Sequence, residues 1–138
     1  MIILDTNVIS AVMRRPPEDR VVFWLDQQPQ TSIWTTSITV FEIRYGIEIM
    51  EAGRRRSSLA QSFDGLLGDL GNRVVPLDAE AAENAAALMA VRHKKGRPVG
   101  SRDTMIAGIA LARHATIATR NTAHFEDAGV AIVNPWTA

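Results

Sequence analysis

The amino-acid sequence predicts an α/β domain with a mostly parallel central sheet flanked by helices. Three observations carry that prediction. Met1-Ile2-Ile3-Leu4 is an apolar run without polar alternation that stops at Asp5, the pattern of a strand buried on both faces. Further short β-prone stretches are separated by helical patterns, as parallel strands joined by right-handed crossovers require. At 138 residues, 46% of them hydrophobic, the chain suffices for one core burying roughly 70% of its unfolded surface, so residues 1–138 are expected to form one domain.

The elements follow from local chemistry. Asp5, Thr6 and Asn7 are all capable of capping a helix, which is expected from Val8 to about Arg14, where Arg15-Pro16-Pro17 ends it. A second helix is expected from about Glu18 to Gln28, with Val21, Val22 and Leu25 inward and Pro29 closing it. Thr31–Thr36 is rich in β-formers and reads as the second strand. Ile43, Ile47 and Met50 form one stripe of a helix from about Ile38 to Ala52, with Gly53 past its end. Leu59, Phe63, Leu66, Leu67 and Leu70 give Arg54–Leu70 the spacing of an amphipathic helix that Gly71-Asn72 terminates.

Arg73–Asp78 reads as a strand near a sheet edge, because Pro76 cannot donate a ladder bond. Ala79 to about Lys95 is strongly helix-forming, with Ala81, Ala85, Leu88 and Met89 as inner positions. After a basic Gly/Pro loop, Ser101 is placed to cap a helix running to about His114. Ala115–Thr119 and Val130–Val133 supply the last two strands.

Composition narrows the chemistry. The absence of cysteine removes disulfides and thiolate metal sites, and three scattered histidines show no ligand spacing. No apolar run approaches the roughly 20 residues of a membrane span. Met1 opens directly into the first strand without a basic and apolar leader, so the expected location is the cytoplasm. The formal net charge is zero, which counts against a long nucleic-acid footprint, yet Arg92–Arg102 holds five basic residues and no acid. A solvated loop is the ordinary explanation of such a run. The three tryptophans are in the same way ordinarily core or interface residues.

Ligands of parallel sheets bind beyond the carboxyl ends of the strands, where the strand order reverses, and Asp5 stands at such an end. Glu42 and Asp103 occupy the first turns of two later helices. Each has a plain alternative: Thr39-Val40-Phe41-Glu42 matches a capping box with Ile38 and Ile43 as its staple, and Asp103 near Ser101 suits a helix dipole. Against capping, Asp103 shares a helical face with Ile106, Ala107 and Ala110, and Glu42 shares one with Gly46, where a missing side chain permits close approach. Three converging carboxylates repel one another unless a cation neutralises them, and oxygen-only ligation suits Mg²⁺ or Mn²⁺.

Leu4-Asp5-Thr6-Asn7, Glu42-Ile43 with Gly46-Ile47, Asp103-Thr104-Met105-Ile106-Ala107, and Thr119-Arg120-Asn121 followed by His124-Phe125 stand in this order along the chain. The set resembles the signature of PIN-domain ribonucleases, and, with Val133-Asn134-Pro135-Trp136, most resembles VapC-type toxins of the FitB-like group. The likeness runs from Met1 to Trp136. It implies a PIN fold and a metal-dependent endoribonuclease that hydrolyses RNA phosphodiester bonds. It also implies homodimers and a small DNA-binding antitoxin that inhibits the toxin.

Carried over residue by residue, the resemblance puts Asp5, Glu42 and Asp103 in the acidic metal site and Thr6, Asn7 and Thr119 in supporting roles. Asn121 stands where many members have a fourth acid; it and Thr6 would orient water or ligands. A neutral amide coordinates only through its carbonyl oxygen, which counts against a second tightly held cation. Lys94, Lys95, Arg97 and Arg102 are the candidate phosphate contacts. The alternatives are an inert PIN-like module that only binds a partner, a haloacid-dehalogenase-type phosphatase and a receiver-like signalling module. The phosphatase needs a second aspartate two residues after the first, where this chain has Asn7, and the receiver needs an acid pair beside Asp5.

Overall fold

The structure is a computed structural model and describes every residue except number 98. Among the described residues five strands, β1 (Ile2–Leu4), β2 (Ile33–Thr36), β3 (Val74–Val75), β4 (Thr116–Ala118) and β5 (Ala131–Val133), form an all-parallel sheet of order β3-β2-β1-β4-β5. Six α-helices cover it: α1 (Thr6–Met13), α2 (Asp19–Asp26), α3 (Ser37–Glu48), α4 (Arg54–Leu70), α5 (Ala79–Lys94) and α6 (Ser101–Arg113). Ile2 sits opposite Ile33 on one side and Thr116 on the other, so β1 is the central strand. The chain steps outward from β1 through β2 to β3, then crosses to the far side for β4 and β5. The strand order therefore reverses between β1 and β4, and the crevice beyond their carboxyl ends is the place where such a sheet accepts a ligand.

The two faces are packed differently. Ile3, Ile106, Ala107, Ile109, Ala110 and Ile117 belong to the core between the sheet and α5 and α6. Leu4, Val8, Val21, Ile43, Ile47 and Phe63 form the opposite core against α1 to α4. Trp24 is buried in that second core, with Trp136 packed against it, and Trp34 packs against the first, so the tryptophans serve as core.

Several boundaries depart from expectation for identifiable reasons. Helix α1 begins two residues early, at Thr6, because Asp5 itself is the cap and accepts from the Thr6 N–H at 2.8 Å. Thr36 rather than Thr39 caps α3, accepting from the Thr39 N–H at 3.1 Å, which puts Glu42 in the second turn and dissolves the capping box. Helix α3 ends at Glu48 where its buried stripe runs out, Ile47 being inside and Ile49 outside, and Gly53 opens α4 instead of closing α3. Gly100, not Ser101, precedes α6, and no side chain caps that helix. In α2 the inward positions are Val21 and Trp24, with Leu25 packed beside them and Val22 off the core.

The tightest helix contact lies between α5 and α6. A Cβ built on Gly108 would stand 2.5 Å from the Ala81 carbonyl oxygen and 2.7 Å from the Ala85 Cβ, so only glycine lets the two backbones meet there. That contact sets the inward line of α5 as Ala81, Ala85, Leu88 and Arg92, and it turns Met89, an expected inner residue, out to solvent. Gly46, by contrast, has nothing within 4 Å of where its Cβ would be, so no close approach explains it. The two glycines should respond oppositely to alanine. Gly46→Ala should gain up to ~1 kcal/mol from helix propensity. Gly108→Ala should lose about 1–3 kcal/mol because backbone must move. Urea unfolding of the two variants beside the parent measures both.

Candidate active site

Asp5 follows β1 directly, and its N–H donates to the Ala118 carbonyl of β4 at 3.0 Å, which fixes the residue over the β1/β4 boundary. Its carboxylate is buried, 3% exposed, and meets only neutral donors among the described residues. Oδ1 accepts from the Thr6 N–H, while Oδ2 accepts from the Thr119 hydroxyl at 2.8 Å and from the Asn7 amide at 3.3 Å. The Thr119 oxygen in turn accepts from the Asn7 amide at 3.2 Å and from the Asn121 N–H at 3.0 Å. With both lone pairs engaged, the single Thr119 proton is directed to Asp5. Asn7 completes the tie across the strands, its Oδ1 accepting from the Arg120 N–H at 3.1 Å.

A second chain of hydroxyls reaches Glu42. Thr6 Oγ1 donates to Glu42 Oε1 at 2.8 Å, and Thr39 Oγ1 lies 3.1 Å from the same Thr6 oxygen. Thr6 spends its one proton on Glu42, so Thr39 is the donor to Thr6. Thr6 thus grips two carboxylates at once, Asp5 through its N–H and Glu42 through its hydroxyl. Thr39 is fully buried, and the sequence reading gave it only a capping role, although it stands three residues before Glu42 on the same helical face.

Asp103, in the first turn of α6, points its Oδ2 at His124 Nδ1, 2.6 Å away, with His124 closing a 3₁₀ turn at Thr122–His124 beyond β4. The sequence reading gave His124 no role. Asn121 is exposed at the head of that turn, and its recorded tie to the site is through its backbone N–H. Of the expected basic contacts, Arg102 reaches the acids: Nη1 lies 3.7 Å from Glu42 Oε2, and its guanidinium sits over the Phe41 ring, 5.4 Å from the centroid. Lys94 and Lys95 are exposed near the end of α5, while Arg97 donates to the Ala123 carbonyl and stands 3.9 Å from Asp127.

Arg92, which opens the basic run, is not a solvated residue. It is 2% exposed and donates to Thr104 Oγ1 at 2.8 Å, to the His124 carbonyl at 2.6 Å and, through Nε and Nη2, to Asp127 at 3.0 and 2.7 Å. The guanidinium holds the Asp127 carboxyl below its usual range. Its spacing after Ala81, Ala85 and Leu88 was the available signal that it points inward.

The electrostatics converge on Asp5. Burial, and secondarily the negative charges of Asp103 and Glu42, push its pKa from 3.8 to about 6 against the opposing Thr119 and Thr6 hydrogen bonds. Among the described residues no three His, Cys, Asp or Glu side chains form a ready-made cation cage. The donor set nevertheless fits a hard divalent cation, because all the candidate ligands are oxygens and the buried charge has no positive partner. Beside the acids, a cavity of about 980 Å³ opens between α1, α3 and the start of α4, touching Thr6, Glu42 and Arg102 at one end.

Residues 2–130 match the PIN domain family. The chain is 41% identical to the VapC ribonuclease Y4jK of Sinorhizobium fredii over 99% of this chain and 98% of that one. It is 35% identical to toxin FitB of Neisseria gonorrhoeae, covering 99% of each. It superposes on the solved structure of FitAB bound to IR36 DNA fragment with a TM-score of 0.89 at 35% identity, over 99% of this chain and 96% of that chain.

The raised pKa of Asp5 carries a sign that stability measurements expose. A carboxyl whose folded pKa exceeds its unfolded value of 3.8 contributes its stability below that value and loses it as pH rises through about 6. In chelator the parent should therefore become less stable between pH 4 and 7.5, by roughly 3 kcal/mol at most from this residue. Asp5→Asn should flatten that part of the profile, because the amide does not titrate there. Thermal melts of both proteins across the pH range check it.

Proposed function

This chain belongs to the PIN-domain family, and we propose that it is a Mg²⁺- or Mn²⁺-dependent endoribonuclease, the toxin of a toxin–antitoxin pair. The single observation that carries the reading is the charge arrangement: carboxylates from β1, α3 and α6 gather at the one sheet edge where strand order reverses, and the buried one has no positive partner. A purely structural site would pair that charge or bury it neutral. The S. fredii relative, named a ribonuclease, supports RNA as the substrate.

Asp5, Glu42 and Asp103 would hold the cation, which when bound supplies Lewis acidity for phosphodiester hydrolysis. The protein's own groups prepare that site. Thr119, Asn7 and Thr6 aim the carboxylate oxygens of Asp5 and Glu42, and the Thr39 hydroxyl fixes Thr6. Arg102, standing at Glu42, offers a guanidinium to a phosphate oxygen of the strand, with Lys94, Lys95 and Arg97 as further phosphate contacts. Asn121 presents a neutral amide where a fourth acid would add charge. Water attacking phosphorus while the P–O3′ bond breaks, with a proton passing to the departing 3′-oxygen, gives a 5′-phosphate and a 3′-hydroxyl.

Partners follow from surfaces. The cavity beside Glu42 is lined by Ile43, Ile47, Met50 and Leu59 and rimmed by Arg14, Arg15, Arg54 and Arg55, which suits an amphipathic antitoxin helix with acidic flanks. The FitAB neighbour, solved bound to a DNA fragment, supports a partner that binds DNA. On the outer face of α3, Phe41, Tyr45 and Ile49 are 55%, 51% and 66% exposed at four-residue spacing, with Phe41 and Tyr45 stacked, a stripe that supports homodimers.

Purified protein should cleave single-stranded RNA with Mg²⁺ or Mn²⁺ and stop in excess chelator; cleavage that persists in chelator rejects the reading. Asp103→Asn should melt no lower than the parent in chelator, because it relieves repulsion, yet lose most of the stabilisation that Mn²⁺ gives the parent and most of the cleavage. A variant that melts lower and cleaves at the parental rate would make Asp103 a helix-dipole residue. Tyr45→Glu should shift the light-scattering mass from dimer to monomer at micromolar concentration.

A further inference from the structure

We propose that His124 is a positioning residue for the cation site: its Nδ1–H holds one oxygen of Asp103 and leaves the other facing the site. The inference rests on the reading of Asp103 as a cation ligand. Four observations support it. The Nδ1 to Oδ2 distance is 2.6 Å, a direct hydrogen bond between the ring nitrogen and the carboxylate. Asp103 makes no capping bond that would explain its orientation, since the N-cap of α6 is Gly100 and no side chain bonds there. His124 is held from behind, its carbonyl accepting from Arg92 at 2.6 Å and its N–H donating to the Asn121 carbonyl at 3.0 Å. The same buried guanidinium grips Thr104, the residue after Asp103, at 2.8 Å.

One buried guanidinium therefore links the Thr104 side chain of α6 to the backbone of the turn, and the His124–Asp103 bond spans the interval so fixed. Phe125, fully buried next to His124, anchors the turn in the α5/α6 core. Both the neutral Nδ1–H tautomer and the imidazolium donate from Nδ1, so the contact does not depend on the charge of the ring. Partners of ligating carboxylates typically change metal affinity by about 10–100-fold when removed, because the ligand then has to be ordered by the metal itself.

The test is Mn²⁺ titration calorimetry on the full chain with the parent, His124→Leu and His124→Asn. The asparagine amide can donate from nearly the place of Nδ1, whereas leucine cannot donate. His124→Leu should weaken Mn²⁺ binding about tenfold or more. His124→Asn should recover most of that loss, with both variants melting close to the parent in chelator because the imidazole is largely solvent-facing. Leucine binding Mn²⁺ within twofold of the parent overturns the proposal, and so does an equal loss in both variants, which would mark the ring as mere packing. A parent that binds no Mn²⁺ overturns this proposal together with the cation site. A parent that binds Mn²⁺ beside an unaffected leucine variant overturns this one alone.

Discussion

A carboxylate buried without a positive partner at the centre of a parallel sheet is the constraint on which this structure turns. Ionising Asp5 in that place is unfavourable, and the neighbouring groups limit the cost by supplying directed dipoles rather than charge. Thr6, Asn7 and Thr119 surround it with donors, and each is itself locked by a further partner, so the orientation of every proton follows from counting lone pairs. Such a cage keeps the carboxylate aimed without neutralising it. The charge stays unbalanced, which is how this cage differs from a salt bridge.

The two sides of the sheet contribute in opposite ways. On the α5/α6 side, Gly108 against Ala81 and Ala85 brings the helices to backbone contact, and Arg92 continues the same line down to the turn after β4. That side is stiff, and it carries Asp103 and His124. On the other side α1, α3 and α4 leave a cavity reaching Glu42, so this acid sits on a wall of open space. A site with one wall fixed and one wall open can be held in register by the first and covered by a partner through the second.

The alternation of strands and helices and the edge position of β3 were legible in the sequence, because burial pattern and strand ends are local signals. Helix ends were less legible. Thr36 and Thr39 are both competent caps, and only the exit direction of β2 decides between them. Arg92 looked like part of a solvated basic run because charge composition says nothing about facing, while its spacing from Ala81, Ala85 and Leu88 did. The bond between His124 and Asp103 was invisible, since the two lie 21 residues apart and meet only when β4 and α6 are set beside each other.

The register of β1 has a consequence for the birth of the protein. Ile2 and Leu4 pair with Thr116 and Ala118, so the central strand leaves the ribosome long before one of its two neighbours. At elongation rates of about 5–20 residues per second, that interval is on the order of 10 seconds. During it β1 can pair with β2, but Asp5 lacks the Ala118 carbonyl, the Thr119 hydroxyl and the whole of the α6 side. Nothing short of a chain synthesised through Thr119 can surround Asp5 in this way. The acid edge is therefore assembled late, after both neighbours of the central strand have emerged.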